Sequence, residues 1–247
     1  MADTGLPLAQ IIGKCDEFFN SGDLSAAGEH LRYWRQEAHR RGDWRSELSL
    51  LSELMGHYRM MNDPERGRQA VADGFSLMLA HGETGSAAAG TVYINGATAL
   101  QSFGDNQEAM NAYRRAWDCY RKNLPDNDRR FAGLFNNMAS SCIAAGDFSE
   151  AENLYLMALD ILQKCGDKMD TAVTFVNLAQ LYCHLESEDL TGEMLHCAML
   201  CFDDPSAVRD GYYAHTCLKC VPAFRELGWT EAAEDLTGRV EEIYERH

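Results

Sequence analysis

A small residue recurs along this chain at a nearly fixed interval, and that interval constrains the fold more than any other feature. The markers are Ala27, Gly67, Ala109, Ala151, Thr191 and Ala233, separated by 40, 42, 42, 40 and 42 positions. A period between about 20 and 50 residues marks a stacked array in which each unit is one supersecondary element. The fullest copy runs Phe135-Asn136-Asn137-Met138-Ala139, then Gly146-Asp147-Phe148, then Ala151, Tyr155 and Ala158. The preceding copy has Asn95-Gly96-Ala97, Gly104-Asp105, Ala109, Tyr113 and Ala116, and the following one has Asn177-Leu178-Ala179, Tyr182, Leu195 and Ala198. Weaker copies contain Phe18 with Gly22-Asp23, Tyr58 with Asn62-Asp63-Pro64, and Phe224 with Gly228.

Each copy reads as a helical hairpin. Leu134, Met138 and Cys142 recur at helical spacing and give one amphipathic helix. Gly146 supplies the left-handed residue that ends it, and Asp147 caps the next helix. Small residues such as Ala139 and Ala151 let the two helices approach, and Tyr155 fills the groove between hairpins. A hairpin cannot cover its own apolar face, so neighbours must stack. The expectation is an all-α, right-handed superhelical solenoid of about six antiparallel hairpins, forming a single domain over 1–247. The hairpins are placed at about 7–41, 44–81, 86–123, 128–165, 169–203 and 209–246.

This pattern resembles the tetratricopeptide repeat, lengthened between hairpins at Leu124-Pro125-Asp126-Asn127-Asp128 and at Cys165-Gly166-Asp167-Lys168. With its Asn-Asn-x-Ala and Asn-Leu-Ala openings it is similar to the kinesin-light-chain type, and to repeats of bacterial regulators that sense peptides. The resemblance implies a scaffold for protein–protein interaction that holds an extended peptide in a concave groove. Two alternatives stand beside it: a peptide-responsive regulator acting on a separate effector, and a self-assembling structural protein. A partner protein or peptide is implied in each case, with possible homo-oligomerisation through a terminal hairpin.

The candidate site is an asparagine ladder. Asn95, Asn137 and Asn177 each stand two residues before the small residue of a first helix, the layer expected to line the groove. A primary amide both donates and accepts, so it can bond an extended ligand's backbone whatever its sequence. By the resemblance, these three would bind peptide; as residues alone, they would serve equally to tie neighbouring helices together. Asn136, Thr98, Gln101, Ser140, Gln180 and His184 are expected on the same face, as are Tyr93, Lys219 and Arg225. The ladder position is occupied by Gly13, Glu53 and Lys219 in the other three units.

Other features argue against other classes. Lys+Arg total 22 against 38 Asp+Glu, a formal charge of -16, which repels nucleic-acid backbones. The opening segment lacks a basic region followed by an apolar run, and no stretch approaches the roughly 20 apolar residues of a membrane span. A cytoplasmic location is expected, with the 9 cysteines reduced. Cys217-x-x-Cys220 and Cys197-x-x-x-Cys201 could converge on zinc or serve as small buried hydrophobes; their register favours the second. No nucleophile with a supporting base is evident, so neither catalysis nor a cofactor or metal is expected. For self-assembly, Leu236, Val240 and Ile243 of the last hairpin are the residues to watch.

Overall fold

The computed structural model describes residues 5–245. Residues 1–4 of the opening segment, and residue 246 assigned above to the last hairpin, lie outside the described residues. Twelve helices and no strand occur among the described residues, divided between two compact units, 1–125 and 126–247. The first unit holds α1 (Leu8–Asn20), α2 (Leu24–Arg41), α3 (Trp44–Met60), α4 (Pro64–Ala80), α5 (Ala87–Ser102) and α6 (Asn106–Asn123). The second holds α7 (Arg130–Ala144), α8 (Phe148–Cys165), α9 (Lys168–His184), α10 (Glu188–Phe202), α11 (Gly211–Glu226) and α12 (Thr230–Glu245). Within each unit every odd helix packs against the even helix that follows, making three hairpins. The all-α hairpin fold expected from the repeat is therefore what forms.

The turns follow the residues that punctuate the sequence. Gly146 takes φ +79, a left-handed conformation costly for a residue with a Cβ, and Asp147 Oδ1 then accepts from the Glu150 amide at 3.2 Å to cap α8. Asp23, Asp43, Asp63, Asp167 and Asp210 cap α2, α3, α4, α9 and α11 in the same way. Asp105 departs from this pattern. Its carboxylate receives Arg68 at 2.6 and 3.1 Å instead, exchanging a cap for an ion pair between α4 and the α5–α6 turn.

The recurring small residues sit where helices cross. Ala27, Ala109, Ala151 and Ala233 have no exposed surface, and Gly67 is buried with them. Tyr113 and Tyr213 fill the space between crossings and are fully buried. In the second unit Arg239 ties the last hairpin to the one before it. It donates to Asp203 (2.6 Å), the Phe202 carbonyl (3.3 Å) and the Tyr213 hydroxyl (3.0 Å).

Two expectations for this last region resolve differently. Leu236, Val240 and Ile243 face the core between α11 and α12, so they supply no outward apolar face for another subunit. Cys201, Cys217 and Cys220 are buried in the same core. Burial pushes their thiols up to about 11, 11 and 12, so they pack as neutral hydrophobes. Pro222 lies inside α11 without ending it.

Candidate functional site

In the second unit, α7, α9 and α11 share one cavity of about 520 Å³. Its wall contains Asn136, Asn137 and Ser140 from α7, Asn177, Gln180 and His184 from α9, and Lys219 from α11. Tyr155 and Leu162 of α8 contribute from behind. Burial pushes the Tyr155 phenol up to about 12, which keeps it neutral.

The three asparagines here are not equivalent. Asn136 Nδ2 donates to Thr174 Oγ1 (2.9 Å) and to the Ala132 carbonyl (3.1 Å), and its Oδ1 accepts from Asn177 Nδ2 at 3.2 Å. Thr174 is itself buried, with its hydroxyl donating to the Asp170 carbonyl at 2.8 Å. These bonds hold α7 to α9 and fix both side chains. Asn137 stands on the same wall, and its side-chain amide makes no hydrogen bond among the described residues. A half-buried amide with its donors and acceptor unclaimed is poised for an external partner. His184 is steadied by the Phe148 ring, with centroids 4.7 Å apart. Asp170 also reaches the cavity but is engaged by Arg129 (3.1 Å) and the Tyr212 hydroxyl (2.6 Å).

The expected residues of the first unit divide into two groups. Asn95 donates to Ser52 Oγ at 2.7 Å and lines a separate cavity of about 690 Å³ between α3 and α5, closed on one side by Ile12 of α1. Thr98 and Gln101 instead gather around one phenol. Tyr113 OH donates to Gln101 Oε1 (2.9 Å) and lies 3.2 Å from Thr98 Oγ1, while Thr98 donates to the Ile94 carbonyl (2.9 Å). Neither residue lines that cavity. Tyr93 is buried against Phe75, centroids 5.0 Å apart, and is likewise not brought to it. Arg225 is exposed and lines neither cavity.

The register of the ladder proves a better guide to the cavity walls than the asparagine itself. Glu53 and Asn95 line the first cavity, and Asn137, Asn177 and Lys219 the second, all from the same place in their repeats. Of the six equivalent positions, only Gly13 lies off both walls. Trp44 and Ser52, which also line the first cavity, had no signal in the repeat pattern. No group of three or more His, Cys, Asp or Glu among the described residues is placed to hold a metal ion. No described helix is long and apolar enough to cross a membrane.

Sequence profiles of the tetratricopeptide repeat match residues 90–129 and 130–189, the stretch in which the repeat is most regular. Across that stretch the chain is built of tetratricopeptide repeats. Its fold is similar to that of a Podosopora anserina putative kinesin light chain with nearly identical TPR-like repeats (16% identity, 81% of this chain and 95% of that one, TM-score 0.58). It is also similar to the apo form of RapI (9% identity, 99% and 86%, TM-score 0.66). A third similar structure is NprR in complex with its cognate peptide NprX (14% identity, 100% and 69%, TM-score 0.62). At these identities the likeness is one of fold. Comparison with curated protein sequences finds no match.

Proposed function

We propose that this tetratricopeptide-repeat protein is a non-catalytic interaction scaffold that holds an extended segment of a partner polypeptide in the cavity of its second unit. The observation that carries this reading is the unclaimed amide of Asn137 beside the mutually bonded Asn136 and Asn177. The bonded pair holds the wall rigid, so little order is lost on binding, and Asn137 offers a donor and an acceptor to a ligand backbone. Ser140, Gln180 and His184 extend the same polar wall, and Lys219 adds a cation toward α11. The peptide bound by NprR, a protein of similar fold, supports the class of ligand.

Linear peptides selected from a random display library and titrated against wild type and Asn137→Ala test the proposal. Loss of one to two hydrogen bonds should weaken binding about tenfold or more, with an unchanged melting temperature. Peptides that bind both proteins equally would sink it, as would a variant that no longer folds. A conservative Asn137→Gln variant should recover part of the affinity if the amide itself is the contact.

A further inference from the structure

The cavity of the first unit is built differently and points to a different chemistry. Helix α3 carries two carboxylates that leave bulk water. Glu47 is buried and paired, with Arg35 at 3.5 Å and His39 at 3.0 Å. Glu53 is half-buried on the cavity wall, and no hydrogen bond or ion pair reaches it among the described residues. The charge that acts on it is Asp16, of like sign, and burial and Asp16 together raise its carboxyl above the usual range. An ionised group held away from water without a partner costs the fold stability.

The surroundings suit a long cationic side chain. Ile12, Leu48 and Val92 give the wall apolar surface for a methylene stem, and Glu53 lies among them to receive the charged head. Arg45, the one basic residue on this wall among the described residues, has its guanidinium over the Trp44 ring, 4.4 Å from the centroid. Asn95 donates one amide hydrogen to Ser52 and keeps its carbonyl oxygen for an incoming donor.

We propose that this cavity seats a lysine or arginine side chain of a partner's extended segment, with the cationic head against Glu53. The proposal rests on the reading of the chain as a polypeptide scaffold, but it concerns a second site with its own ligand chemistry. Charge complementarity decides the occupant: a cation entering the cavity gives Glu53 the partner that the chain withholds. An acidic side chain there would face Glu53 and Glu83.

The full chain, labelled at its Ile, Leu and Val methyl groups, can be titrated by NMR with the end-capped pentapeptide Ala-Leu-Lys-Leu-Ala. Counterparts with norleucine or glutamate at the centre serve as probes of charge. The expected result is shifts at the methyls of Ile12, Leu48 and Val92, weakened about tenfold by norleucine and abolished by glutamate. Glu53→Gln should lose the preference for lysine and raise the melting temperature, because it removes an unpaired charge. Equal binding of the lysine and norleucine peptides overturns the proposal, as does the absence of shifts at these methyls at millimolar peptide. A lower melting temperature in Glu53→Gln would make Glu53 a structural group and overturn it too. Asn137→Ala must leave these shifts unchanged, which separates failure here from failure of the second unit's site.

Discussion

The two units of this chain share one repeat and handle polar groups at their cavities in opposite ways. In the second, Asn136 is bonded to both Asn177 and Thr174, leaving the amide of Asn137 unclaimed beside them. In the first, the wall holds Glu53 with no ion-pair partner among the described residues. Overall charge runs the other way. Residues 1–125 carry 13 Lys and Arg against 16 Asp and Glu, whereas 126–247 carry 9 against 22. The acidic half thus presents the amide cavity, and the nearly balanced half presents the unpaired carboxylate. Net charge is a poor guide to a site whose character is set by the one or two groups that packing leaves without partners.

The units also differ in how their helices approach. In the first, side chains press onto glycines: an added Cβ would come 2.6 Å from the Tyr120 ring at Gly90, 2.6 Å from Phe75 at Gly96, and 2.4 Å from His57 at Gly28. In the second, alanines with no exposed surface, such as Ala139, Ala158, Ala179 and Ala198, occupy the crossings. Its glycines outside the turns, among them Gly133 and Gly192, would meet nothing within 4 Å. A glycine in a helix gives up about 0.5–1 kcal/mol relative to alanine. The first unit uses that sacrifice to seat a ring, and the second does not.

Substitutions at matched chemistry can break this contrast. Gly90→Ala should destabilise the first unit by about 1–3 kcal/mol, since Tyr120 is buried and Cys119 Cβ stands 3.1 Å from the new atom. Chemical denaturation measures it, and a neutral or stabilising result would show that the ring moves aside. A second difference appears in acid. His57 is buried with Nδ1 unpartnered, and burial, helped by Arg32 and opposed by Asp63, lowers its pKa from 6.5. The unfolded chain then protonates first as pH falls. The stability contributed by the neutral ring is present above about pH 6.5 and is lost below it, by up to about 1.4 kcal/mol per pH unit until the folded ring also titrates. Glu53 acts in the opposite sense at lower pH, because its raised carboxyl protonates first in the folded unit. Amide exchange followed from pH 7 to 5.5 should show protection falling in α2 and α3, and His57→Phe should remove that dependence. The smallest effect is expected at Gly192→Ala in α10, a gain of about 0.5–1 kcal/mol, of opposite sign to Gly90→Ala. If both substitutions shift stability in the same direction, the distinction between the two packing modes fails.

Much of the fold was legible in the repeat because its causes are local. Gly146 and Asp147 act on the residues beside them, and helical spacing places Leu134 and Cys142 on one face whatever lies opposite. The cavity was less legible. Thr98 and Gln101 have the spacing of groove residues, yet both turn to the buried Tyr113 hydroxyl, a partner on the following helix. Leu236, Val240 and Ile243 show an apolar stripe but not what covers it.

By itself the sequence determined the hairpin, its period and the register that lines each cavity, since these follow from helix geometry and turn chemistry within one repeat. Only the tertiary structure decided which polar groups on that register are spoken for. Asn136 finds Thr174 and Asn177 across 38 and 41 residues, whereas Asn137, its chain neighbour, finds neither. Adjacent residues on a helix point about 100° apart, so one lies within hydrogen-bond reach of the next hairpin and the other faces the cavity. The same choice, made at Glu47 and Glu53 on α3, pairs one carboxylate and leaves the other facing the cavity.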